Sequence, residues 1–331
     1  MSRIIIQNGN MCELDLPLKF AQKLYNEFAI RHPNAFYLRT RQRGMQNWDG
    51  KIHYITKTGQ FKIGLLPKVY DMCIEMGIKP KVVDMRQPLP KVSKVVTNIG
   101  KYKLRPEQEK AVKAVINNKI GNTPFHIGVL DYTVNAGKTL IMSSLYLSYK
   151  KQLKTLLITN DSDWLNQARE EFKQYLPGED ITFVQGKVLN WSNFTIGMVQ
   201  SISRNMRFYQ KELSQIDMVL VDEADQGGSK QYQNVITRLF NTRIRIGLSG
   251  TIYMSKLAKD KVKNMNLECF FGKVIAEFKL KDSIKKGYST KTIVKMVPGK
   301  PWYGNWESDC ISYKEIYDDS ITNCYTAWLM A

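Results

Sequence analysis

Apolar and polar positions change rhythm part-way along the chain, and the change divides it. Over residues 17–30, "PLKFAQKLYNEFAI" sets Ala21, Leu24, Tyr25, Phe28 and Ala29 on one helical face, and "HPN" ends the pattern. Two runs with strand character, "KIHYI" and "FKIGLL", flank the turn signal "KTGQ". Pro67 opens a second helix over "KVYDMCIEMGI", and "KPKVVDM" closes the unit as a strand. This pattern predicts a small α+β domain over residues 1–86. The proline- and lysine-rich "RQPLPKVSKVV" then predicts a linker at 87–97.

Beyond it, apolar runs alternate with helical stretches: "FHIGVL", "TLLIT", "ITFVQ", "TIGMVQ", "DMVLV" and "RIRIGLS". Strands that are apolar at nearly every position belong to parallel sheets covered on both faces. Residues 98–290 are therefore expected to form an α/β domain with a mostly parallel sheet. In 291–331, "KTIVKMV" reads as a strand and "ISYKEIYDDSITNCYTAWLMA" as a helix.

Charge narrows the partners. The 331 residues carry a formal net charge of +19, which favours a polyanion, nucleic acid ahead of membrane because no basic amphipathic anchor stands out. Five scattered cysteines without a C-x-x-C pair argue for free thiols in a reducing, cytoplasmic setting and against a zinc site. No apolar run approaches the ~20 residues of a bilayer span. The start, "MSRIIIQNGNMCELDL", turns polar too soon for a signal peptide. A monomer is expected.

The first strand of the α/β region runs into "DYTVNAGKTLIM". Its end matches a phosphate-binding loop, which wants glycine, four free residues, then Gly-Lys-Ser/Thr. Tyr132 stands where the first glycine belongs, so the loop must turn without it. Asn135, Ala136, Gly137, Lys138 and Thr139 would offer backbone N–H groups and the positive helix end to ATP phosphates. Lys138 would reach the β- and γ-phosphates, and Thr139 would bind Mg²⁺. Downstream, "IDMVLVDEADQGG" carries an apolar strand into Asp222, Glu223, Ala224 and Asp225. A carboxylate there, Asp222, can hold the same Mg²⁺, while Glu223 orients or deprotonates the attacking water.

Further stretches follow the order of a superfamily 2 helicase motor, which this region resembles. "LRPEQEKAV" resembles the nucleotide-sensing segment, implying that Gln108 contacts adenine with Arg105 and Tyr102 in support. "NDSDWLNQAREEF" resembles the motif that grips one nucleic-acid strand, with Trp164, Leu165 and Gln167 at the matching positions. "TIGMVQSISR" resembles a strand-contact motif ending in Gln200 and Ser201. "IGLSGT" resembles the motif that links hydrolysis to strand movement, carried by Ser249, Gly250 and Thr251. Asp225 stands where many of these motors have histidine.

"FYLRTRQRGMQNWDGKIHYITKTGQFKIGLLPKV" is similar to the N-terminal segment of UvsW-type phage DNA helicases. That resemblance implies a nucleic-acid surface made by Arg39, Arg41, Arg43, Lys51 and Trp48, on an α+β domain preceding a RecA-like P-loop domain. Trp48 fits a stacking platform and a buried core position equally well. The resemblance implies an ATP-dependent DNA helicase or translocase acting on branched or recombination intermediates, with double-stranded or branched DNA favoured as the partner and RNA not excluded. It also implies a second RecA-like domain with an arginine finger, so the 331 residues alone are expected to hydrolyse ATP poorly. Trp302, Tyr303 and Trp306 are expected to cap the motor rather than stack on bases. A non-catalytic nucleic-acid-binding module with a vestigial motor fold, or a motor subunit of a restriction-type complex, stays open.

Overall fold

The computed structural model describes residues 2–41, 45, 47–149, 151–188, 190–252 and 260–290. Arg43, Trp302, Tyr303 and Trp306, and the strand and helix expected in 291–331, lie outside the described residues.

The N-terminal part is built on a hairpin, β1 (Arg3–Ile6) and β2 (Met11–Asp15), around "QNGN". Alternate residues Ile4 and Ile6 point inward and are fully buried, as strand periodicity requires. Helix α1 (Leu18–Glu27) adds Leu24 to the same core, joined by Phe28. A separate ladder pairs β3 (Ala29–Arg31) with β4 (Lys51–His53), and α2 (Ala35–Arg41) lies between them in sequence. The main sheet is completed by β5 (Gln60–Lys62) beside β2 and by β6 (Lys81–Asp84) parallel to β1.

"FKIGLL" departs from the expectation of a strand. Pairing stops at Lys62, and the chain turns through Ile63–Leu65 into α3 (Leu66–Glu75). The reason is backbone contact: a Cβ on Gly64 would lie 2.1 Å from the Glu268 carbonyl oxygen and 2.6 Å from that of Cys269. That closeness seats this turn against another part of the chain instead of a ladder partner.

Two short ladders, β7 (Asn98–Ile99) with β8 (Tyr102–Lys103) and β9 (Lys119–Ile120) with β10 (Thr123–Pro124), flank α4 (Pro106–Ile116). The large sheet follows. Its strands are β11 (His126–Tyr132), β12 (Thr155–Thr159), β13 (Ile181–Val184), β14 (Phe194–Met198), β15 (Met218–Asp222), β16 (Ile244–Ser249) and β17 (Val274–Phe278). All neighbours are parallel, in the order β13-β14-β12-β15-β16-β11-β17. The connections are α5 (Lys138–Ser148), α6 (Ser162–Tyr175), α7 (Val199–Arg204), α8 (Gln210–Ser214), α9 (Lys230–Ile236) and α10 (Lys261–Phe271). After β17 comes α11 (Leu280–Lys285). The strands β11, β12, β15 and β16 are buried along their whole length, so the continuous apolar runs have the cause assigned to them.

Residues 1–289 form one compact unit. Arg245, a strand residue of β16, is fully buried, and its Nη2 donates to the Gly9 carbonyl at 2.6 Å and to Asn10 Oδ1 at 2.7 Å. Its Nη1 reaches the Phe270 carbonyl at 3.2 Å. Burial pushes this guanidinium down to about 9, and no carboxylate pairs with it among the described residues. Asn10 Nδ2 donates in turn to the Thr237 carbonyl, and Tyr54 bonds Asn266. The β1–β2 hairpin is thus fastened to the large sheet by buried polar contacts.

Candidate nucleotide site and nucleic-acid surface

The carboxyl ends of β11, β15 and β16 meet at one edge, where open parallel sheets bind ligands. Tyr132 still belongs to β11, opposite Phe278, with its ring buried. Its hydroxyl donates to the Glu107 carbonyl at 2.8 Å, and burial pushes its pKa up to about 12. The missing glycine is therefore a core anchor, and the turn is made later. Asn135 (φ 62) and Gly137 (φ 71) take left-handed conformations, and Gly137 leads directly into α5. A Cβ on Gly137 would also lie 2.3 Å from Gln108 Nε2.

Gln108 explains that crowding. It is only 1% exposed; its Oε1 accepts from the Arg105 backbone N–H at 2.8 Å and its Nε2 donates to the Ala136 carbonyl at 2.8 Å. One amide closes the start of α4 and ties it to the loop. Arg105 lays its guanidinium 4.1 Å from the Tyr288 ring centroid. Glu107 is buried and paired to Lys286 at 2.7 Å, clamping α4 to α11. Tyr102 points elsewhere, bonding Gln174 on α6. The Glu107, Lys286 and Tyr288 contacts had no local sequence signal, because they join residues far apart in the chain.

Lys138 Nζ stands 4.0 Å from Asp222 Oδ1, which brings the two ends of the nucleotide motif together. Burial holds the Asp222 carboxyl above its ordinary range, with Lys138 pulling it back and Glu223 adding to the rise. Glu223 itself adopts φ 51, a strained conformation for a residue with a side chain. Only three non-glycine residues among those described have positive φ, and two of them, Asn135 and Glu223, border this site. Asp225 accepts a hydrogen bond from Ser249 Oγ at 3.0 Å, and the same Oγ accepts from Thr251 N–H at 3.2 Å. The acidic turn after β15 is thereby linked to the Ser249–Thr251 turn after β16, with Gly250 packed against Thr133 of the loop after β11. Thr139 lies on the first turn of α5, half-buried.

The residues expected to contact a nucleic-acid strand are more dispersed. Trp164 is half-buried against the core and Leu165 fully buried, while Gln167 is exposed and bonded to Glu171. Gln200 sits on α7, its Nε2 on the Asn160 carbonyl at 3.3 Å, and Ser201 Oγ accepts from Gly186 N–H. In the N-terminal part, Trp48 spends its indole N–H on the Lys51 carbonyl at 2.9 Å and makes a T-shaped contact with the His32 ring. It closes a loop. Arg41 is parked over the Tyr37 ring. Arg39 and Lys51 face a common cleft with Arg31 and Phe36, two residues not singled out by the sequence.

Among the described residues, no group of three or more His, Cys, Asp or Glu side chains could hold a metal by itself. Asp222 and Thr139 nevertheless offer hard oxygen donors, the kind that suits Mg²⁺ shared with a substrate's phosphates. No helix among the described residues is long and apolar enough to cross a membrane.

Residues 101–254 match the family model described as type III restriction enzyme, res subunit. The ATP-dependent DNA helicase uvsW of Enterobacteria phage T4 is 22% identical over 228 residues, 62% of this chain and 43% of the relative. The chain thus spans less than half the length of that curated relative. A crystal structure of the UvsW helicase from bacteriophage T4 superposes with a TM-score of 0.64 at 20% identity, covering 84% of this chain and 99% of that one. A second T4 UvsW structure gives 0.62 at 19% identity, covering 82% and 56%. The sheet topology is that of a RecA-like domain, and the turn after β11, the acidic turn and the Ser-Gly-Thr turn meet at its edge. The chain is thus similar in sequence to the UvsW helicase and shares the fold of its solved structures, and its α/β part matches the restriction-enzyme res-subunit family.

Proposed function

We propose that the chain carries the ATP-binding part of a DNA helicase or translocase that remodels branched or recombination intermediates. The observation that carries this reading is the approach of Lys138 to Asp222 at the sheet edge, with Gln108 tied to the loop between them and α4. Lys138 and the N–H groups of 135–139 bind the phosphates of ATP. Thr139 and Asp222 would hold Mg²⁺, whose charge offsets that of the phosphates. Glu223 orients or deprotonates the attacking water, and Arg105 and Gln108 receive the adenine. The Ser249–Asp225 bond gives a route from the acidic turn to the Ser249–Thr251 turn, where hydrolysis would be passed to strand movement.

Gln167, Gln200 and Ser201 are proposed as motor contacts to a DNA strand, and Arg39 and Lys51 as contacts of the N-terminal part. The division into 1–86, 87–97 and 98–290 is proposed on the same footing, supported by the separate sheets. The +19 charge supports a polyanionic partner.

The test is nucleotide binding by the 331-residue chain. Lys138→Ala is expected to abolish Mg²⁺-dependent binding of a fluorescent ATP analogue while DNA affinity stays within twofold. Unchanged ATP affinity would remove the loop assignment.

A further inference from the structure

Strand pairing brings like charges together in the N-terminal part. In the β3–β4 ladder Arg31 is the direct partner of Lys51, an arrangement that destabilises a strand pair. Arg39, from the last turn of α2, enters the same cleft, which encloses about 570 Å³. None of these three cations has an ion-pair partner among the described residues. Asp49 lies on the rim, yet it is committed to His53 at 2.6 Å and to the Lys51 backbone N–H at 2.9 Å. Phe36 projects into the opening and is 80% exposed, so its ring is free on the surface. The floor is small: Ala35 and Gly50, whose φ of +77 and 3.1 Å clearance from Ala35 leave no room for a side chain.

We infer that this cleft holds one unpaired base of a DNA strand, stacked on Phe36, with flanking phosphates on Arg31, Arg39 and Lys51. Three cations converging on one opening, outnumbering the rim carboxylate of Asp49, fit the closely spaced phosphates of a strand. A bare aromatic face beside them fits a base, since every base has a π-face and stacking tolerates any sequence. A base inside a duplex is covered by its neighbours and cannot offer that face, so the ligand is a splayed or single-stranded segment. The role expected of Trp48 thus passes to Phe36, because Trp48 is spent on the loop that shapes the cleft. The inference rests on DNA being the partner.

The experiment measures anisotropy of a labelled oligothymidine strand and of a matched strand with abasic sites, using the full chain. Phe36→Ala is expected to weaken binding of the normal strand on the order of tenfold. It should leave the abasic strand unaffected, and leave the slope of log affinity against log salt unchanged. Lys51→Gln is expected to lower affinity for both strands and reduce that slope by about 0.7. Phe36 is exposed, so the variant should melt with the wild type, which a thermal scan verifies. Equal loss on both strands, or none on either, overturns the inference. If the wild-type chain binds neither strand, the DNA reading falls with it; if it binds both and Phe36→Ala changes nothing, only the cleft falls.

Discussion

Asp222 shows at one residue how function and stability pull apart. Burial is the largest influence on it and raises its pKa above the ordinary 3.8, despite Lys138 nearby. A carboxyl whose pKa rises on folding adds stability only while protonated. That stability is complete below pH 3.8 and is lost as pH climbs through the higher native value. At neutral pH the ionised side chain is therefore a net cost to the nucleotide-free fold. Asp222→Asn is expected to raise the melting temperature at pH 7, by an amount that shrinks as the pH approaches 3.8, while Mg²⁺-dependent nucleotide binding disappears. Thermal scans across that range check it, and an unchanged or lower melting temperature at pH 7 would contradict the assignment of burial as the main cause.

At the scale of elements, the loop after β11 depends on a backbone shape that only glycine takes cheaply. Gly137→Ala faces two obstacles, a positive φ and the Gln108 amide. Gly178 offers a control, with φ +79 and nothing within 4 Å of an added Cβ. Gly178→Ala should cost the backbone penalty alone, about 1–2 kcal/mol in urea unfolding. Gly137→Ala should cost more and also weaken ATP binding; equal costs would mean that Gln108 yields freely. The alternation of buried strands with helices, the turn from β11 into α5 and the acidic turn after β15 were legible because each is written in contiguous residues. The β1–β2 hairpin carried a period-two signal only in "CELD", since "RIII" is an unbroken apolar run, and its short strands take their stability from β5 and β6, far along the chain. "FKIGLL" misled because its strand-like composition is overridden at Gly64 by a remote pair of carbonyls. The partnership of Arg31 with Lys51 was invisible, since register follows from folding and not from spacing.

For the whole molecule, the decisive contact is Arg245, which carries the side chain of a large-sheet strand, β16, into the turn of the N-terminal hairpin. One hydrophobic cluster also runs from Ile4 and Phe61 to Phe271 and Val219. Calorimetry on the full chain is expected to give a single transition over the described unit. Arg245→Ala leaves the Gly9 carbonyl and Asn10 amide buried without a donor, at about 1–3 kcal/mol. It should move that transition down by roughly 2–4 °C per kcal/mol without splitting it. Two resolved transitions in the wild type would show that the N-terminal part melts by itself. The same contact makes deletion of the first 90 residues a poor probe of DNA binding, because the cut would uncover the core of the α/β part.

Gln108 has a consequence that a tally of its bonds brings out. A primary amide has two N–H groups and two lone pairs, and the free protein uses one of each, on Ala136 and on Arg105. One donor and one acceptor are left over. On the proposed assignment those leftovers match adenine, which shows an acceptor at N7 beside a donor at its amino group. Guanine shows two acceptors along the same edge, so it would set an oxygen against an oxygen. The preference for one purine would then be dictated by what remains of a side chain already engaged in holding the phosphate loop.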